Sequence, residues 1–327
     1  MLAIVDAAVE AGYGFERICG LLQISRSRVW RWQQRRISGD LEDKVSGRAV
    51  NTILPAERDA ILEVYNKWAD VDRSHRKLAY RGSYEGIVWV SPSTVGRVLA
   101  AEGLVLESVP YQPRAAKKPW PDWVEYRPCQ VWGYDFTHFG GCPNIGVLAL
   151  LDLVSRKWIH TIISVEETST QVKLLFVEGL DLEGLLEAAE DTPKSDVPVL
   201  LAVSDNGPQM TSGDTKELMA ILSIHQHFGR PHTPTDQAPI ESFFGHLKME
   251  FPYLNKISDV EQLRWELAAK EDFYNNVRLH ENIGYVTPND AHEGRAEQII
   301  EARIGGLERA RQQRLQHNRK TDPEPPK

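Results

Sequence analysis

QVWGYDFTHF, residues 130–139, and NIGVLALLDLVSRKWIHTIISVEE, residues 144–167, decide the fold. Both are dense in aliphatic, β-branched and aromatic residues, and the second divides at the turn-prone Ser155, so together they predict a three-stranded meander. A helix is predicted from about Thr168 to Leu180. DVPVLLAVSDNGPQM, residues 196–210, then reads as a buried strand ending at Asp205. TSGDTKELMAIL follows as an amphipathic helix, SIHQHFG as a short strand, and a last helix carries Glu241. The order β-β-β-α-β-α-β-α predicts an α/β domain built on one mixed five-stranded sheet. Asp135 and Asp205 fall on strands able to neighbour each other, with Glu241 on the helix that follows.

RPHTPTDQAPIESFFGHLK, residues 230–248, places Glu241 just inside that helix, after a run broken by Pro231, Pro234 and Pro239. Lys248 lies seven residues on, which returns to the same helix face roughly 10 Å further along the axis. The proline-broken run reads as a mobile loop that lets the helix swing both side chains. Singly, each acid has an ordinary reading: Asp in SDNG suits a turn, and a helical Glu suits solvent. Three carboxylates converging from separate elements repel one another unless a cation intervenes. Mg²⁺ or Mn²⁺ takes oxygen ligands and only one or two carboxylates per ion, so three acids suit two ions acting on a phosphoryl group.

The rest of the chain points to several modules. At 327 residues with 42% hydrophobic content it exceeds one ordinary domain. It has no uncharged apolar run long enough to span a membrane and no signal-peptide pattern at its N-terminus, so a soluble cytoplasmic protein is expected. Cys19, Cys129 and Cys142 are far apart in sequence and support neither a disulfide framework nor a cysteine-based zinc site. The net charge of −8 conceals two opposed segments. Residues 17–39 hold Arg17, Arg26, Arg28, Arg31, Arg35 and Arg36 with no acid, whereas residues 178–191 hold Glu178, Asp181, Glu183, Glu187, Glu190 and Asp191 with no base.

The basic segment is patterned. A short helix over Phe15–Leu22, a turn at Gln23–Ser25 and a second helix with Val29 and Trp32 inward predict a helix-turn-helix domain over residues 1–37. Arg26, Arg28, Arg31 and Arg35 are then its DNA-facing side chains, within reach of base edges and phosphates. A second, similar helical unit is predicted over 53–108, with Ser91 as N-cap, Pro92 at the first helical position and Gly103 as the stop. YRGSYEGIVWV between its helices reads as irregular connection. Residues 109–128 read as a Pro-rich extended linker and 129–292 as the α/β domain. Residues 293–327 read as a basic helical tail, interrupted at Gly305 and Gly306, with a disordered end.

WGYDFT, LLDLVSRKW, SDNGPQM, the 230–248 stretch and FYNNVRLHENIGYVTP resemble the successive signatures of bacterial insertion-sequence transposases with a retroviral-integrase-type, ribonuclease-H-like core. Thirty-five residues separate Asp205 from Glu241, the spacing of the D,D-35-E class. The resemblance implies that Asp135, Asp205 and Glu241 hold the metal ions and that Lys248 contacts the DNA end. It also assigns Asp152 a structural role. Asn206 is a candidate for orienting water or a ligand, and His232 and His280 are candidate phosphate donors. Residues 1–60 contain no His, so the zinc module of retroviral integrases is not expected.

The expected activity is metal-dependent 3′-end cleavage of an insertion element followed by strand transfer into target DNA, without a covalent protein intermediate. The expected partner is double-stranded DNA, the expected assembly a homo-oligomer on it, and the location the bacterial nucleoid. The competing expectation is a domesticated integrase-core protein that regulates through DNA binding without transposing.

Overall fold

The computed structural model describes residues 1–39, 50–104, 120–191, 197–228 and 238–321. It divides into two compact units, Met1–Thr52 and Ile53–Lys327.

The first unit is a three-helix cluster of α1 (Leu2–Glu10), α2 (Phe15–Leu21) and α3 (Arg26–Ile37). Val5, Ile18, Cys19, Ile24 and Val29 are buried together, and Phe15 and Trp32 pack against them. Gln23, at φ +52°, makes the turn from α2 to α3. Val29 is fully buried while Arg26, Arg28 and Arg31 are exposed and Arg35 is half-buried, so the basic face of α3 points outward. Some of that charge is already matched, because Arg26 pairs with Glu16 and Arg36 with Asp6.

The second unit begins with α4 (Pro55–Trp68), α5 (His75–Tyr84) and α6 (Pro92–Ala101). Ser91 caps α6 by accepting from the Thr94 amide, with Pro92 at the first position, and Gly103 stops it at φ +73°. The irregular connection expected over YRGSYEGIVWV is corrected here, because its first five residues lie in α5. Ser74 caps that helix by accepting from the Lys77 amide, and Leu78, Ala79 and Arg81 are buried along it. The glycine that suggested a loop, Gly82, sits where a Cβ would come within 2.8 Å of Val88.

The α/β body follows. Strands β1 (Val131–Phe139), β2 (Cys142–Asp152) and β3 (Trp158–Ser164) form the meander, α7 (Ser169–Leu182) and α8 (Leu186–Asp191) follow, and then β4 (Leu200–Ser204). After α9 (Pro208–Thr211) and α10 (Gly213–Ile221), β5 (Ile224–Phe228) completes the sheet. Its order is β3-β2-β1-β4-β5. β1 is antiparallel to β2 but parallel to β4, and β4 is parallel to β5, giving the expected mixed sheet of five strands.

Alternation along β1 sorts the two faces. Trp132 and Tyr134 pack with Val172, Leu175 and Phe176 of α7. Val131 and Phe139 pack on the opposite face with Phe243, Phe244 and Leu247 of α11 (Ala238–Glu250) and Leu263 and Leu267 of α12 (Val260–Asn276). α13 (Pro288–His292) and α14 (Ala296–Thr321) end the described chain.

The second helical unit was expected over 53–108 as a domain of its own, and long-range polar contacts join its described part, residues 53–104, to the C-terminal quarter. Arg81 is 2% exposed and pairs with the fully buried Asp72 at 2.7 Å. The same guanidinium donates to the Val277 carbonyl at 2.7 Å and lies over the Trp68 ring. The Tyr84 hydroxyl donates to Asp290 at 2.6 Å. From α14, Arg303 donates to Ser83, and Arg314 donates to Glu57 and to the Trp89 carbonyl. The tail is therefore one continuous 26-residue helix, not an interrupted one. Gly306 faces Trp89 so closely that a Cβ would lie 2.0 Å from the indole nitrogen, which makes it a point of close approach, not a break. The last part of the expected linker is also packed, since Trp120, Trp123 and Val124 rest on the sheet core; most of the remainder, residues 109–119, lies outside the described residues.

Removing one partner of the Asp72–Arg81 pair leaves a buried charge. Asp72→Ala is expected to cost about 3–5 kcal/mol, read by urea unfolding, and Asp72→Ala with Arg81→Met together to cost less than Asp72→Ala alone. A loss below about 1 kcal/mol for the single variant would show that the pair does not hold the helices to the body.

Candidate active site

The middle of one strand, the end of another and one helix build the site. Val131, Gly133, Asp135, Thr137 and Phe139 alternate onto the face of β1 that packs on α11. The parallel register pairs Val131 with Leu201, Trp132 with Ala202 and Gly133 with Val203, so two further steps set Asp135 beside Asp205, just past the end of β4. Leu201 and Val203 share the α11 face, and Asp205 continues their alternation. On α11, Ile240, Phe243, Phe244 and Leu247 bury one face against the sheet, and Glu241 stands exposed in the first turn.

The three acids interact. Asp135 is half-buried, and its carboxyl is pushed up to about 7, first by burial and then by the charges of Asp205 and Glu241, against the opposing effect of the Phe136 amide that donates to it at 2.8 Å. A proton held on by burial and by neighbouring acids is what a divalent cation would displace, so the donor set fits Mg²⁺ or Mn²⁺. Asp205 also serves the turn that SDNG suggested, its Oδ1 accepting from the Gly207 amide at 2.9 Å. A Cβ on Gly207 would lie 2.9 Å from that oxygen. Turn and ligand are compatible readings of one side chain.

Lys248 comes to the same face. Its ammonium donates to Thr137 at 2.6 Å, two residues along β1 from Asp135, and lies over the Phe139 ring. Burial lowers its pKa. Asn206 is exposed beside Asp205. His280 is elsewhere: it is packed against Tyr274 and Arg278 in a cavity also lined by Arg156 and His246, and burial with the Arg278 charge drives its pKa well down. A neutral, packed imidazole is a poor phosphate donor. His232 and the proline-broken run before α11 lie outside the described residues.

Glu167 is an acid that the spacing gave no means of finding. It follows β3, adds to the charge acting on Asp135, and pairs with His138 at 2.5 Å. Asp152 is structural as expected, fully buried with Oδ1 accepting from the amides of Val154 and Ser155 at 2.8 Å.

The integrase core domain family matches residues 222–288, a stretch holding Glu241 and Lys248 but neither Asp135 nor Asp205. The transposase for insertion sequence element IS629 of Shigella sonnei is 24% identical over 303 residues, covering 90% of this chain and 96% of its own. The chain resembles insertion-sequence transposases, and its residues 222–288 match the integrase core domain family. A transposase for insertion sequence element IS904 of Lactococcus lactis is 26% identical over 170 residues, half of this chain and 61% of that protein, so this match spans less than two thirds of its relative. Among solved structures, the catalytic core of BIV integrase is 23% identical with a TM-score of 0.38, covering 52% of this chain and 97% of its own. The HTLV-2 integrase core in complex with magnesium is 19% identical with a TM-score of 0.37, covering 51% and 97%.

The Asp135 proton gives the site a pH signature. The folded chain keeps this carboxyl protonated up to about 7, while the unfolded chain releases the proton near 3.8. Folding therefore takes up a proton between those values, and the Asp135 contribution to stability falls as pH rises through that window. In metal-free protein, Asp135→Asn should raise the Tm at pH 8, and the gain should vanish as the pH is lowered toward 4. Equal Tm values at pH 8 for the two proteins would refute the raised Asp135 pKa.

Proposed function

We propose that the chain is a DDE-type polynucleotidyl transferase that cuts the 3′ ends of an insertion element and joins them to target DNA. The observation that carries this reading is the convergence of Asp135, Asp205 and Glu241 from β1, the end of β4 and α11, with Asp135 pushed up to about 7 by burial first and then by the charges of the other two. When bound, two Mg²⁺ or Mn²⁺ ions would supply activation of the attacking oxygen and neutralisation of the leaving one. The three carboxylates of Asp135, Asp205 and Glu241 would hold the ions. Lys248, anchored on Thr137 beside Asp135, offers its ammonium to the phosphate of the DNA end. Among the described residues no helix is long and apolar enough to cross a membrane.

The unit around α1–α3 is the proposed reader of the element end. Its exposed Arg28 and Arg31 are the principal contacts, while Arg26 must first leave Glu16. Counterion release makes such contacts salt-dependent. In the full chain, Arg28→Ala should reduce the slope of log affinity against log salt by about 1, and an unchanged slope would remove Arg28 from the interface.

Two ends joined in concert require at least two chains on DNA, although α14 commits Arg303 and Arg314 internally, leaving a smaller basic surface than the tail's composition suggested.

Cleavage of an oligonucleotide bearing the element end should require Mg²⁺ or Mn²⁺ and stop with EDTA. Asp135→Asn, Asp205→Asn and Glu241→Gln should each abolish cleavage while end binding, measured by fluorescence anisotropy, persists. Normal cleavage by the Asp205→Asn protein would overturn the assignment.

A further inference from the structure

A second cluster of ligand-type side chains lies away from the three acids, at the other end of β1. Cys129 lies two residues before the strand begins, six residues and roughly 20 Å of extended chain before Asp135. Glu183 caps the C-terminus of α7 and His292 is the last residue of α13. Cys129 Sγ is 3.7 Å from His292 Nε2 and 3.8 Å from Glu183 Oε2, and those two atoms are 2.8 Å apart. All three ligand atoms lie within 4.8 Å of one another.

We propose that Cys129, Glu183 and His292 form a zinc site that ties the start of β1 to the ends of α7 and α13. With Zn–S of about 2.3 Å and Zn–N and Zn–O of about 2.0–2.2 Å, tetrahedral geometry sets ligand separations of roughly 3.5 Å to sulfur and 3.3 Å between nitrogen and oxygen. The two sulfur separations already meet this to within a few tenths of an ångström. The third is the Glu183–His292 hydrogen bond, which opens by about half an ångström when the ion replaces its proton.

The surrounding groups orient each ligand as zinc sites require. His292 Nδ1 is 3.0 Å from Ser155 Oγ and 3.9 Å from the buried Asp152 carboxylate, which leaves Nε2 to face the ion. Glu183 is tied through its other oxygen to Lys157 at 2.8 Å. Asp152 also accepts from the Cys129 amide at 2.5 Å, and Cys129 is held at φ +65°, a backbone region that non-glycine residues rarely adopt.

Charge balances as well. A thiolate and a carboxylate neutralise Zn²⁺, while Asp152 and Lys157 offset each other. Binding breaks the Cys129 S–H bond and releases its proton to solvent, while the proton displaced from the Glu183–His292 hydrogen bond is taken up at His292 Nδ1, which then donates to Ser155 Oγ. The sulfur and imidazole donors select zinc over Mg²⁺ or Ca²⁺, and a water completes the fourth position.

Purified full-length protein, stripped with EDTA and dialysed, is titrated with Co²⁺ and then with Zn²⁺. Cobalt should give a thiolate-to-metal charge-transfer band with intense visible absorption, zinc should bleach both, and desalted protein should retain about one zinc per chain by mass spectrometry. Cys129→Asn, whose side chain tolerates the left-handed backbone, should fold with unchanged circular dichroism, lose the charge-transfer band and bind zinc at least about tenfold more weakly. Asp205→Asn should keep the band, which separates this site from the active-site acids. Folded wild-type protein without the band, or a Cys129→Asn protein that retains it, would overturn the proposal in favour of a purely hydrogen-bonded cluster.

Discussion

The parallel pairing of β1 with β4 is the constraint on which the site depends. It joins chain segments some seventy residues apart in a register that continues Gly133–Val203 to Asp135–Asp205. Period-two alternation then turns both carboxylates toward α11. A slip of one residue would send Asp135 to the α7 face, among Tyr134 and Phe176, where a carboxylate has no partner. The apolar residues of β1 and β4 hold that register: Val131, Leu201 and Val203 are buried on one side, and Trp132, Leu200 and Ala202 on the other. The acids therefore stand together because packing elsewhere gives the strands no alternative, even though their own interaction is repulsive.

The sheet was legible because its strands are short runs of branched and aromatic residues, and each side chain's face follows from period two. Asp135 and Asp205 could be placed on those strands and Glu241 on its helix from local pattern alone. The α5 helix was not legible, since Gly82 and Gly86 with intervening aromatics resemble loop composition. Its burial depends on Val88 crowding Gly82 and on Arg81 reaching the Val277 carbonyl, almost two hundred residues away. Gly306 misled for the same reason: a helix breaker by propensity, it is required here by Trp89. Glu167 carried no signal, because its place near Asp135 is set by where β3 ends beside β2.

Cys129 belongs to the same class of long-range fact. Three cysteines spread along the chain argue against a metal site when only sequence spacing is weighed, and spacing is informative only when ligands come from one local motif. Glu183 and His292 come from an acidic helix end and a short helix more than a hundred residues apart. In the sequence Glu183 stands in an acidic run without a base. Burial instead places it against His292 and Lys157, which hold its pKa down to about 2 despite the cost of desolvation.

A sheet with functional groups at one end must be fixed at the other if its strands are to keep a common register. Asp152 accepts from the Cys129, Val154 and Ser155 amides, closing the β2–β3 turn against the start of β1. Asn275 of α12 donates to the Trp158 carbonyl and accepts from its amide at 2.9 Å, pinning β3 from the other layer. Both anchors lie at the end away from Asp205, and both use buried polar groups whose loss would leave unsatisfied partners. Rigidity is thus concentrated behind the acids, while the acidic end is held mainly by β1–β4 pairing and by the apolar face of α11. That division makes α11, which carries both Glu241 and Lys248 and buries Ile240, Phe243, Phe244 and Leu247 against the sheet, part of what holds the acidic end in place.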